Sequence, residues 1–156
     1  MDEETVFGPE LIKSYELESQ VAVYPRIILS AECIKNVKRF ADYYGDHKEE
    51  SPFYRIVLED MDGECFVNYL HKLIDMFEDE VAANDYTSLF PYLESHKQII
   101  EKALTKYEKN YKLLKKYAWI ANYHNYFCED FVLNGGNNYK ITAPIKMSYP
   151  RRIFTS

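Results

Sequence analysis

Val6–Ser30 reads VFGPELIKSYELESQVAVYPRIILS, one helix feeding one strand. Gly8-Pro9 opens the helix, since proline at a first helical position gives up an N–H that would be unpaired there anyway. Leu11, Ile12, Tyr15 and Leu17 supply its apolar surface, and it stops near Ser19-Gln20. Val21–Leu29 (VAVYPRIIL) then reads as a strand. Helix and strand in direct succession set the expectation of an α+β fold.

Working outward, Ser30 caps a second helix over about 31–44. Its apolar residues Cys33, Ile34, Val37, Phe40, Ala41 and Tyr44 recur at three and four positions and form one stripe. Gly45 is placed to end it, and Asp46–Pro52 is a polar loop. Phe53–Glu59 and Glu64–Tyr69 read as strands joined through Asp60-Met61-Asp62-Gly63, where Asp-Gly is a strong hairpin signal. The expected product is a small antiparallel sheet with strands over about 54–59 and 64–69.

Beyond Leu70 the pattern turns helical. A helix is expected over 71–81, and Asn84–Ser88 breaks it. A single long helix is expected from about Tyr92 to Phe127, because Ile99/Ile100, Ala103/Leu104, Tyr107, Tyr111, Leu114, Ala118 and Ala121 keep a helical period. A small sheet cannot cover a helix of that length, so its other faces must meet other helices or a second subunit. Asn134–Asn138 (NGGNN) is a turn-rich loop, and 139–156 suits an extended arm. The expected division is an α+β portion over 1–70 and a helical region with an extended tail over 71–156, packed as one domain.

With 156 residues, 47% of them hydrophobic and 16% aromatic, the chain can bury a core without disulfide support. The net charge of −6 argues against nucleic-acid binding, which needs surplus Lys and Arg to displace counterions. The basic run Lys112–Lys116 shares its stretch with Glu101 and Glu108 and reads as a solvated helix face. Three widely spaced cysteines (Cys33, Cys65, Cys128) fit free thiols in a reducing compartment. The start MDEETVFG is acidic with no apolar signal region, and no stretch has the 18 or so consecutive apolar residues of a membrane span. A cytoplasmic protein is expected.

The run Gly8–Glu18 (GPELIKSYELE) resembles the helix after the fourth strand of class III nucleotide cyclases, whose pattern is Gly-Asp-x-Val-Asn-x-Ala-x-Arg-Leu-Glu. Gly8, Leu11, Ser14, Leu17 and Glu18 fit its scaffold. The phrases Phe7–Ile12, Tyr15–Glu18, Tyr24–Ile28 and the hairpin Asp62–Leu70 are similar to those of divergent bacterial relatives, including the pyrimidine cyclases of antiphage signalling. The resemblance runs from Val6 to about Tyr126 and implies a partial class III cyclase-like, ferredoxin-like half with a helical C-terminal region. The family's two chemical positions on that helix are not kept. Ile12 stands for the Asn that steadies the nucleotide, and its side chain cannot hydrogen-bond. Glu16 stands for the phosphate-binding Arg and would repel a triphosphate.

Cyclisation by that family uses two metal ions, Mg or Mn, held by two carboxylates. The resemblance implies that both carboxylates lie upstream of Val6, with Met1 an internal methionine of a longer relative or the start of a truncated gene. It implies a truncated, inactive C-terminal part of a cyclase-like protein, with no catalytic, cofactor or metal residue of its own. The expected partner is a second copy or the missing N-terminal cyclase half. The alternative is a stand-alone interaction or structural protein on a degenerate cyclase scaffold.

Other constellations read as structural. Asp60-x-Asp62-Gly63 starts like a calcium loop, but the twelfth position is His71 rather than Glu, so a turn is expected. His124 and Cys128 share a helix face, and only His96 or Cys65 could complete a zinc set; packing is expected. Gly135-Gly136 with Lys140 lacks the GxxxxGK[ST] pattern of a phosphate loop. Tyr117, Trp119, Tyr123, Tyr126 and Phe127 span more than one helix face. Part of that cluster should be core, and any exposed remainder a docking surface.

Overall fold

The computed structural model describes residues 24–154. It has a mixed α+β architecture, with a small three-stranded antiparallel sheet in strand order β2-β1-β3 and several helices. Contacts divide the chain into two compact units, the first taking residues up to Asn68 together with those from Arg151, the second Tyr69–Pro150. The opening helix over 8–19 and the strand residues Val21–Val23 lie outside the described residues.

In the first unit, the expected strand over 21–29 is irregular in its described part. Tyr24-Pro25 bend, and the Arg26 N–H turns back onto the Tyr24 carbonyl at 2.9 Å. Pro25 has no N–H to give a ladder, so pairing is postponed to Ile27–Leu29. There a single antiparallel bridge, Ile28 with Phe66, is flanked by Leu29 N–H to Cys65 O (2.9 Å) and Val67 N–H to Ile27 O (3.0 Å).

Helix α1, Ala31–Ala41, begins where the sequence indicates, with the Ser30 hydroxyl accepting from the Cys33 N–H at 3.2 Å. Val37 and Ala41 are buried, and Cys33 and Ile34 pack beside them. A 3₁₀ turn over Asp42–Tyr44 continues it until Gly45, whose φ of 56° suits a residue without Cβ. Phe40 and Tyr44, assigned to the same stripe, sit at its exposed margin, 49% and 39% accessible.

The expected strand from Phe53 is half helix. Phe53–Ile56 forms one helical turn, α2, and strand β1 is only Val57–Glu59. Pro52 explains the difference: its φ of −58° is helical, and Tyr54 N–H closes onto Ser51 O at 3.0 Å. Strand β2, Cys65–Val67, pairs with β1 in the register Val57–Val67, Leu58–Phe66 and Glu59–Cys65. Gly63, at φ 84°, closes the hairpin by donating to Asp60 O at 3.0 Å. On the other edge of β1, strand β3, Arg151–Arg152, pairs through Leu58–Arg152 and Glu59–Arg151. Val57, Cys65, Val37, Ala41 and Phe154 form this unit's core.

In the second unit, the helix expected over 71–81 is two pieces, α3 (His71–Met76) and α4 (Glu78–Ala82). Phe77 leaves helical geometry at φ −125°, its ring 5.8 Å from that of Tyr92, and Glu78-Asp79-Glu80 then favour a fresh N-terminus. The long helix expected over 92–127 is likewise two helices, α5 (Phe90–Lys106) and α6 (Tyr111–Asp130). Asn110 causes the restart: its side chain accepts from the Leu113 N–H at 3.3 Å. The chain folds back as a helical hairpin, and Ile100 and Leu104 of α5 meet Ala118 and Ala121 of α6 and Ile141 beyond it. The apolar period runs through the break because both helices face one core.

The tail is divided as well. A strap over 140–149 lies along α6, whereas the residues from Arg151 belong to the first unit.

Candidate functional site

The chemistry-bearing side chains of the second unit converge between α5 and α6. His96 follows Leu93 and precedes Ile100 and Leu104, so it occupies the inward stripe of α5. His124 lies between Ala121 and Cys128 on the inward stripe of α6 and is fully buried. Their Nδ1 atoms are 2.8 Å apart. His124 Nε2 is 2.8 Å from the Tyr139 carbonyl, and Tyr69 Oη is 3.4 Å from His96 Nε2.

Those partners fix the tautomers. A carbonyl only accepts, so His124 carries its proton on Nε2 and leaves Nδ1 as an acceptor. His96 must then donate from Nδ1, which leaves its Nε2 to accept from the Tyr69 hydroxyl. The result is a one-way chain, Tyr69 to His96 to His124 to Tyr139 O, with both rings neutral. Burial, reinforced by His124, lowers His96 to about 4. Burial also lowers His124, outweighing the Tyr139 contact. The same desolvation pushes Tyr69 and Cys128 up to about 12 each, so both keep their protons at neutral pH.

The structure therefore brings together three of the four residues considered for zinc: His96, His124 and Cys128, whose Sγ is 3.4 Å from His124 Nε2. Cys65 is on β2 of the first unit. Both nitrogens of His124 are engaged by protein groups, and Cys128 faces a different nitrogen from His96. Among the described residues, no group of three or more His, Cys, Asp or Glu is arranged to hold a metal ion.

In the first unit, Asp60-x-Asp62-Gly63 is a turn whose carboxylates hold a cation of the chain's own. The buried Arg26 guanidinium reaches both, with an Nη1 contact to Asp60 Oδ2 and Nη2 2.5 Å from Asp62 Oδ2. Asp62 is lowered: burial acts against its charge, but the Arg26 hydrogen bond and the Glu64 N–H outweigh it. Sequence reasoning had assigned Arg26 to a strand and missed this role.

The remaining candidates are structural. Gly136 packs against Cys128 O and Val132, where a Cβ would clash, and the Lys140 ammonium goes to Glu129 at 2.8 Å. The aromatic cluster on α6 is largely interior. Trp119 and Tyr123 stack at 5.5 Å, the Tyr123 hydroxyl accepts from Leu70 N–H at 3.1 Å, and Tyr126 and Phe127 are buried. The core part of the expectation therefore covers Trp119, Tyr123, Tyr126 and Phe127, while half-buried Tyr117 stacks on Tyr107 with ring centroids 5.5 Å apart.

Asn122 and Asn125, which the sequence reading passed over, hold the strap to α6. Asn125 donates to Ile141 O and accepts from Ile141 N–H, both at 2.7 Å. Asn122 donates to Ile145 O at 2.9 Å and accepts from Met147 N–H at 3.4 Å. Their signal was two amides three apart amid apolar helix positions, which demand partners when buried.

Among the described residues, no helix is long and apolar enough to cross a membrane. Comparison with protein-family models, curated proteins and solved structures gave no match.

Proposed function

We propose that this chain is a non-catalytic interaction protein on a degenerate class III cyclase-like scaffold, the C-terminal part of a fold whose full-length relatives convert a nucleoside triphosphate to a cyclic monophosphate. The observation that carries the reading is Arg26. It joins the two phrases in which the cyclase resemblance is densest among the described residues, Tyr24–Ile28 and the Asp62-Gly63 hairpin, and neutralises Asp60 and Asp62. Asp60 and Asp62 are thereby structural partners that tie these two phrases into one scaffold, while the resemblance puts the family's metal-binding carboxylates elsewhere, upstream of Val6. The substitutions at Ile12 and Glu16 agree, since neither side chain serves a nucleotide phosphate.

The test is turnover. The purified chain, incubated with each of ATP, GTP, CTP and UTP in Mn²⁺ or Mg²⁺, should give no cyclic product above a no-protein control. Cyclic nucleotide formed in proportion to protein overturns the proposal. Light scattering of the same sample measures whether the partner is a second copy, as the cyclase resemblance implies. An in-frame segment upstream of Met1 encoding a strand with two spaced aspartates would mark the missing half as the partner instead.

A further inference from the structure

Helix α5 presents to solvent a face that is symmetric about its own centre. Tyr92, Ser95, Ile99, Lys102 and Lys106 are all exposed, and steps of three, four and seven residues put them on one side of the helix. Ile100 and Leu104 take the other side, toward the core shared with α6. Ile99 is 63% exposed and lies one residue past the midpoint of Phe90–Lys106. Tyr92 stands seven residues before it and Lys106 seven after it, about two turns each way.

Charge is split between the two ends. The Phe77 ring lies 5.8 Å from that of Tyr92, so the exposed acidic run Glu78-Asp79-Glu80 stands beside the start of α5. Past the other end, Lys102, Lys106, Lys109 and Lys112 are exposed, and Glu108 is the one acid between them. The 17-residue helix keeps the two groups about 25 Å apart. That exceeds the Debye length at physiological salt, so neither end neutralises the other.

We infer that the outer face of α5 docks a second copy of this chain, the two helices packing antiparallel about a twofold axis at Ile99. Ile99 meets the partner's Ile99 on the axis. Tyr92 faces the partner's Lys106, an aromatic ring against an ammonium. The acidic run beside the start of α5 meets the lysines at the far end of the other copy, and the symmetry makes each contact twice. A parallel pairing would set acid against acid and lysine against lysine, so charge fixes the direction. A second copy is the favoured occupant because this one face already carries both halves of the match at equal distances from its centre. The inference rests on the interaction reading above and names its surface and partner.

The experiment is sedimentation equilibrium of the full chain at concentrations up to about 200 μM, which should fit a monomer–dimer equilibrium. Ile99→Glu sets two like charges on the axis and should weaken the dimer at least tenfold. The position is exposed, so Trp119 fluorescence should stay unchanged. Lys106→Glu and the pair Glu78→Lys/Glu80→Lys should each weaken it at least fivefold, and an equimolar mixture of those two variants should restore it. Under mild oxidation Ile99→Cys should give a disulfide-linked dimer, whereas Tyr111→Cys, 69% exposed but remote from the axis, and the unsubstituted chain should not. A chain that stays monomeric, a dimer indifferent to Ile99→Glu, a mixture no tighter than its components, or cross-linking through Tyr111→Cys in preference to Ile99→Cys overturns the inference. A monomer without nucleotide turnover removes this dimer and leaves the non-catalytic reading standing, whereas turnover removes that reading whatever the oligomeric state.

Discussion

Arg26 shows how one side chain fixes the geometry of its unit. Its guanidinium and the Asp60 carboxylate are almost fully withdrawn from water, whereas the Asp62 side chain keeps 39% of its exposure. Removing one partner of a buried ion pair strands the other, typically at about 3–5 kcal/mol, while loss of a half-exposed partner costs roughly 1 kcal/mol or less. Arg26→Met should therefore sharply reduce hydrogen-exchange protection of Leu58 and Phe66, the central pair of the hairpin, and Asp62→Asn should reduce it far less. Equal losses would show that burial does not set the hierarchy. The acid response has a defined sign. Asp62 is lowered from its ordinary 3.8, so its stabilisation is full above that value and is lost as pH falls through the folded one. The Asp-Gly turn was legible in sequence because two residues of local chemistry specify it. Arg26's role was not, since its partners lie 34 and 36 positions away.

At the level of elements, legibility followed the range of the forces involved. Helix α1 was legible because its cap and stripe are both local. The antiparallel pairing of the hairpin was legible for the same reason. Strand β1 was expected to start too early because Pro52 turns Phe53–Ile56 into a helical turn. The Tyr107–Asn110 reversal was missed since α5 and α6 turn their stripes to a common core, so the period gives no sign of the break; Asn110, a capping residue, was the available signal. The histidine pair between those helices needs long-range packing to exist at all. It yields a prediction with a clear pH window. His96 is lowered from 6.5 to about 4, so the unfolded chain takes up the proton first as pH falls. Stability of the second unit, read by Trp119 fluorescence in urea, should be level above pH 6.5, decline from there to about pH 4, and flatten below with respect to this group. Nitrogen NMR at pH 7.5 should show His96 protonated on Nδ1 and His124 on Nε2. A charged imidazole at that pH, or the opposite tautomers, would break the proposed hydrogen-bond order.

For the whole molecule, the point of consequence is that sequence order and unit membership part company at Pro150. The chain leaves the first unit at Asn68, builds α3 to α6 and the strap, then contributes Arg151–Arg152 and Phe154 back to the first unit's sheet and core. Arg151 also pairs with Glu59 on β1, and the Arg152 guanidinium lies 4.8 Å from the Tyr54 ring centroid. A division by sequence alone, after residue 70, cannot see a return made by so short a strand, whose pairing depends on β1 rather than on any pattern of its own. The energetic weight is concentrated in Phe154, which is 8% exposed against Val37, Ala41, Val57 and Cys65; removing a buried Phe side chain typically costs about 3–5 kcal/mol. Ending the chain after Pro150 should therefore destabilise the first unit by at least that order, exposing β1 amides to exchange and the buried Cys65 thiol to alkylation. Trp119 packs on Tyr123 within the second unit, so its urea midpoint should shift little. Phe154→Ala in the full chain should reproduce most of the loss while leaving the β3 backbone in place. A truncated chain with Cys65 still protected would mean that β1, β2 and α1 suffice alone, and that the returning strand is an ornament of the sheet rather than part of its core.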